Sequence, residues 1–192
     1  MDIHWLIAFC LGIGLSAACG IRMFLPLLLI AANQRFHLLD TSYHVDWLDS
    51  NLALIILITA TVIEISAYYI PLIDHILDVV NVPLVFVAGL LSMASILPDM
   101  PLYMDKVLGL IVGGSTAVTI NGLVGIGRLK STTLSAGTTN PFYATIENVM
   151  TIVITVLSFL IPIIIGLIVF FVVLVSFKKF RNFFRKPLST KH

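Results

Sequence analysis

Residues 149–177 read VMTIVITVLSFLIPIIIGLIVFFVVLVSF, 29 residues without a charge. A membrane-spanning helix needs about 20 apolar residues, so this run is long enough to cross a bilayer. Pro162 lies inside it and predicts a kink, because its ring removes a backbone donor and crowds the preceding turn. The rest of the chain agrees. Of its 192 residues, 59% are hydrophobic and 11% charged, against roughly half and a quarter in soluble domains. That balance excludes a water-soluble globule. It also excludes intrinsic disorder, which needs low hydrophobicity and high charge. The reading is an all-α polytopic membrane helix bundle of one domain, with broken or re-entrant segments. It has room for roughly four to six spans.

Residues 3–32 form the first apolar segment. As one helix it would run about 45 Å, longer than the ~30 Å of bilayer hydrocarbon. Gly12, Gly14 and Gly20, then Arg22 and Pro26, interrupt it. Either it is one tilted, kinked helix, or a helix joins a half-helix near Gly20. Met1-Asp2-Ile3-His4 lacks the basic start of a secretory signal, so the segment is expected to remain in the mature protein. Cys10 and Cys19 stand about 13 Å apart on a straight helix, too far for a disulfide. Both read as small packing residues.

Residues 33–50 are polar, and their acids outnumber their Arg and Lys, which points away from the cytoplasm. Trp47 reads as an interfacial anchor. The second segment, 51–70, carries no charge until Glu64. Pro71 breaks it. Asp74 and Asp78 follow, four residues apart and therefore on one face of an amphipathic stretch. Residues 82–97, opened by Pro83 and closed by Pro98, are short for a span, so crossing and re-entering both stay open. The fourth segment, 107–126, is glycine-rich. Its Gly109 and Gly113 form a GxxxG that lets backbones approach and leaves a homo-oligomer open. Residues 127–148 read as a long irregular stretch with a break at Asn140-Pro141 and Glu147 near its end.

Six of the eleven Lys and Arg residues fall at 178–191. By the positive-inside rule the C-terminus is cytoplasmic. The division is a transmembrane domain, 1–177, and a basic-aromatic tail, 178–192. Phe177, Phe180, Phe183 and Phe184 interleave with the bases, as in an interfacial helix on anionic lipids, and no nucleic-acid partner is expected. An even number of spans puts both termini in the cytoplasm, but leaves Arg128 and Lys130 on the wrong side.

Arg22 and Glu64 are the charges set deepest in apolar sequence, and each costs about 3 kcal/mol near a bilayer centre. They mark either a substrate or ion pathway, or a structural ion pair. Glu147 is the third candidate. Glu64, Asp74, Asp78 and Glu147 together would make an oxygen-rich cluster of the kind hard cations prefer, which leaves a bound cation open. Otherwise the two aspartates are the wet face of a helix. No cofactor is indicated. There is no HExxH, no Walker A and no GxSxG, so no catalytic residue is assigned and no enzyme is expected.

Three patches carry a family resemblance. They are Gly20-Ile21-Arg22-Met23-Phe24-Leu25-Pro26-Leu27-Leu28; then Glu64, Ile70-Pro71, Asp74, Asp78, Pro83 and Ala88-Gly89; then Asn140-Pro141 with Glu147. In order, over residues 5–177, they resemble the bacterial membrane family known as domain of unknown function 4126. The resemblance implies a bacterial inner membrane and this choice of residues; it implies no reaction. Two positions depart from the family pattern. Tyr68-Tyr69 stand where charged residues precede the proline, and Val82 stands where a basic residue is common.

Gly14-Leu15-Ser16-Ala17-Ala18 with Gly20-Ile21-Arg22 also echoes Gly114-Ser115-Thr116-Ala117 with Gly125-Ile126-Gly127-Arg128. Inverted repeats with broken helices are a common plan in small transporters. The functional expectation is therefore a small transporter or channel for ions or small solutes, coupled to protons or cations. Arg22 would be its counter-charge, Glu64 its binding or titrating carboxylate, and Asp74, Asp78 and Glu147 its access path. The competing expectation is a non-transporting scaffold or lipid-organising protein; a third and less favoured one, an intramembrane enzyme, would need a polar cavity with a Ser or carboxylate pair in reacting distance.

Overall fold

Inside a bilayer each segment must satisfy its own backbone donors and acceptors, and a helix does so without help. The computed structural model describes residues 3–36, 48–98, 104–135 and 140–185, and every long element among them is helical. In chain order these are α1 (Ile3–Ile21), α2 (Phe24–Phe36), α3 (Asn51–Tyr68), α4 (Pro71–Ile96), α5 (Met104–Leu108), α6 (Ser115–Ser135), α7 (Asn140–Leu160) and α8 (Pro162–Arg185). A π-helical stretch, Gly109–Gly114, joins α5 to α6 without a gap. Five stretches are long and apolar enough to cross a membrane: Ile3–Ile21, Asn51–Tyr68, Met104–Ser131, Pro141–Leu160 and Pro162–Lys179. The chain is an all-helical, multi-pass membrane bundle.

α1 is the axis. Every residue from Cys10 to Ile21 is buried, and α4, α6, α7 and α8 pack around it. A helix that is apolar on all sides belongs inside, and its small residues let neighbours come close. A Cβ on Gly20 would stand 2.5 Å from the Ala117 carbonyl oxygen. Ser16 donates a 2.9 Å hydrogen bond to the Gly89 carbonyl of α4.

The contacts fix directions. Gly12 meets Met93 while Ser16 meets Gly89, so α4 runs opposite to α1. Gly109 meets Leu90 and Ala94, and Gly113 meets Gly89, so α5 and α6 run opposite to α4. α1 and α6 are therefore parallel, whereas an inverted repeat would set them antiparallel. Arg22 reaches Ala144, Gly14 lies against Ser158, and Cys10 lies against Gly166, so α7 and α8 descend along α1. The start of α1 and the end of α8 thus share one end of the bundle.

Several expectations need correction. The first segment does break, at Arg22-Met23. α2 then doubles back along α3, so it ends at the bundle end where α1 begins. The described ends on either side of the link after α2, Phe36 and Ser50, thus lie at the bundle end of the last turns of α8, whereas the acids of 33–50 point them away from it; acids carry little weight in setting orientation. Asn33, Gln34 and Arg35 belong to α2; residues 37–47, with Trp47, lie outside the described residues. Residues 82–97 are no isolated short segment, because α4 continues through Pro83. Residues 127–135 and 140–148 are helical, not irregular. The Ile161 amide donates to Leu157 and the Ile165 amide to Ile161, so helical bonding passes the Pro162 junction. α8 also continues past Phe177 into the basic segment, with no separate interfacial helix before Arg185.

The GxxxG of Gly109 and Gly113 faces α4 of the same chain. At the start of α3, the Ser50 side chain accepts from the Ala53 amide at 3.0 Å. Ser50→Ala is expected to remove about 1 kcal/mol of stability, and Ser50→Asp to keep it, read as thermal midpoints in detergent.

Candidate functional site

Two chain breaks meet at the end of the bundle opposite the termini. The Arg22 amide still donates to Ala18 at 3.1 Å and completes α1. The next amides open α2, and the first amides of a helix have no acceptor of their own. Glu64, near the end of α3, supplies it. Met23 N–H donates to Glu64 Oε1 at 2.9 Å and Phe24 N–H to Glu64 Oε2 at 3.1 Å. Glu64 is a cap lent by a neighbouring helix, a carboxylate on the positive end of α2. Both of its oxygens have backbone partners.

Arg22 projects the other way and is 0% exposed. Its Nη2 lies 3.0 Å from Glu147 Oε2 and donates to the Ala144 carbonyl at 3.3 Å. From α6, Arg128 grips the same carboxylate, with Nη2 2.5 Å from Oε2 and Nε 3.3 Å from Oε1. The Tyr68 ring carries both cations, 3.9 Å from the Arg22 guanidinium carbon and 4.4 Å from that of Arg128. Such cation–π contacts strengthen where water is excluded. Asn81 of α4 donates its amide to the Tyr68 hydroxyl. Tyr143 lies over Gly127, beside the Arg128–Glu147 pair.

Among the described residues, the Glu147 carboxylate thus takes two guanidiniums, with Glu64 also within electrostatic reach of Arg22. Arg22 Nε and Nη1 have no acceptor, and Asn81 Oδ1 has no donor. A buried polar atom left unmet costs about 1–3 kcal/mol. Buried ion groups rarely exceed apolar packing in stability. This end of the bundle retains charge that packing alone does not require.

A polar face continues from it. Along α7, Glu147 is followed by Thr151, Thr155 and Ser158, all turned inward and buried. Thr151 donates to the Glu147 carbonyl at 2.8 Å and Ser158 to that of Ile154 at 2.7 Å. Thr155 Oγ1 has no partner.

Of the residues singled out in the sequence, Arg22 and Glu147 are in direct contact, and Glu64 caps the next residues. Asp74 and Asp78 lie in the first turns of α4, but their side chains are outside the described residues. Gly20 precedes the α1 end and backs onto Ala117. Pro26 is in the first turn of α2 and Pro71 is the first residue of α4. Pro83 lies within α4, while Asn140 and Pro141 open α7. Among the described residues no three His, Cys, Asp or Glu gather as a metal site. Sequence reasoning missed Arg128, Tyr68 and Asn81 as site residues. The signal for Arg128 was its misfit on the wrong side of the membrane; a paired, buried arginine does not obey a rule about loop charge.

A family model described as Domain of unknown function (DUF4126) matches residues 9–181, and the chain belongs to that family. No curated protein and no solved structure matches it.

Proposed function

We propose that this family member is a small transporter or channel for ions or small solutes, and that Arg22, Glu147 and Arg128 are the charged element of its path. The observation that carries the reading is this buried group at the meeting of two chain breaks. Interior charge in membrane proteins marks substrate and ion routes, and broken helices are where transporters build their sites. The inward hydroxyls of α7 extend the polar route into the bundle. Glu147, rather than Glu64, is the carboxylate for proton or cation coupling, because the Glu64 oxygens serve the α2 amides. Among the described residues, Arg22, Arg128 and Tyr143 face Glu147, with Tyr68 stacked on both cations and Glu64 near Arg22. The bases at Lys178, Lys179 and Arg181 favour a cytoplasmic C-terminus in a bacterial inner membrane; α1 then begins on the same side.

The test is flux into proteoliposomes, with and without a pH gradient. Wild type is expected to exceed empty liposomes. Glu147→Gln is expected to lose about tenfold or more, the worth of one charge-assisted hydrogen bond. No flux of potassium, sodium, chloride or acetate, with the protein folded and inserted, would sink the reading. It would favour a second one, in which the exposed Lys178, Lys179 and Arg181 hold anionic lipids and the protein organises membrane or partners.

A further inference from the structure

We propose that the ligand of this site is a small anion, a halide or a short carboxylate, held by Arg22 and Arg128. The proposal rests on the permeation reading and names the class of what permeates. Three observations point to it. First, among the described residues two guanidiniums meet on the Glu147 carboxylate, and Glu64 is committed to Met23 and Phe24. Second, the unmet polar atoms of the charged group are donors. Arg22 Nε and Nη1 have no acceptor although the side chain is fully buried. A guanidinium offers five N–H donors and no acceptor, so only an acceptor can satisfy them, and an anion does so best. Among the described residues the unmet acceptor of α4, Asn81 Oδ1, is a neutral amide, a poorer ligand for a cation than a carboxylate oxygen. Third, Glu147 lies between the two guanidiniums with its Oε2 shared by both, the position a free carboxylate would take. Glu147 is in effect a tethered ligand, and an entering anion competes with it. The complete burial of Arg22 selects a small free ion over a lipid phosphate.

The experiment uses the full chain in zwitterionic detergent, without anionic lipid. Its thermal midpoint is followed as chloride or acetate replaces gluconate at constant ionic strength. A saturable rise is expected in wild type, since a ligand of the folded state stabilises it. Glu147→Gln, which weakens the tethered competitor, is expected to reach half-saturation at a concentration about tenfold lower, the equivalent of 1.4 kcal/mol. Arg22→Lys keeps the charge but loses the unmet donors, and its rise is expected to vanish. If Arg22→Lys does not fold, wild type and Glu147→Gln still decide. No saturable rise in either, or the same half-saturation in both, would overturn the anion site. A rise seen only after phosphatidylglycerol is added would assign the donors to a lipid headgroup and also overturn it. The two proposals separate in liposomes. Potassium flux without an anion effect would leave permeation standing and remove the anion. Anion stabilisation without any flux would do the reverse.

Discussion

Glu147→Leu is expected to be the most damaging single change in the protein, lowering stability by about 3–5 kcal/mol. It leaves Arg22 and Arg128 buried beside the Tyr68 ring without the carboxylate they share. The cost comes from the buried charge no longer compensated there, not from the pair energy that was lost. The same physics makes a second, opposite prediction. Removing all three charges together, as Arg22→Met with Arg128→Met and Glu147→Leu, is expected to recover most of that loss, because buried ion groups are often no better than apolar packing. Thermal unfolding in detergent of the single and triple variants checks both. A triple variant that melts as low as the single one would mean that the charges fix the arrangement of helices rather than burden it.

The second large effect lies at glycines where helices meet. Gly20→Ala places a methyl group 2.5 Å from the Ala117 carbonyl oxygen and 2.8 Å from Ile120 Cβ. Gly113→Ala places one 2.5 Å from the Gly89 carbonyl oxygen. Neither neighbour is the free end of a flexible side chain, so the helices themselves must part. Overpacking of this kind costs about 1–3 kcal/mol, and backbone partners argue for the upper end. Gly122→Ala and Gly125→Ala are the controls. A Cβ at either position meets nothing within 4 Å, and alanine is the better helix former by about 0.5–1 kcal/mol. These two are expected to be neutral or stabilising. The four midpoints, measured side by side, test whether α1 touches α6 at Gly20 and whether the Gly109–Gly114 stretch touches α4 at Gly113 as described.

The class of fold was legible because bilayer physics writes it into composition: uncharged runs such as 149–177 have no other use. The deep charges Arg22, Glu64 and Glu147 were legible for the same reason. Their partners were not. Glu64 bonds to backbone amides of another helix, and amides leave no trace in the sequence. Tyr68 reads as one more aromatic at a helix end until two guanidiniums are found on its ring. Arg128 was hidden because residues 127–135, rich in Gly, Ser and Thr, lack the apolar period that signals a helix. α6 continues there because its Arg128 side is buried against α7. Of the four carboxylates expected to gather, Glu147 joins cations from α1 and α6 and Glu64 caps α2, pairings set by topology; the side chains of Asp74 and Asp78 lie outside the described residues.

The placement of α1 has a consequence for how the protein is made. α1 is made before the helices that surround it, and two of its partners come last: Ala144 and Gly166 lie more than a hundred residues beyond Arg22 and Cys10. Until α7 and α8 are synthesised, the α1 surface at Cys10 and Gly14 stays bare and Arg22 lacks its Glu147 contact. Non-local closure of this kind is slow, and exposed intermediates are prone to misassembly. The nascent bundle is therefore most vulnerable between the insertion of α1 and the arrival of Glu147. A chain stalled before residue 140 holds Arg22 without its Glu147 contact, while Glu64 is engaged by the start of α2. Truncations in that window are expected to be cleared by membrane quality control, while chains stopped after α8 persist.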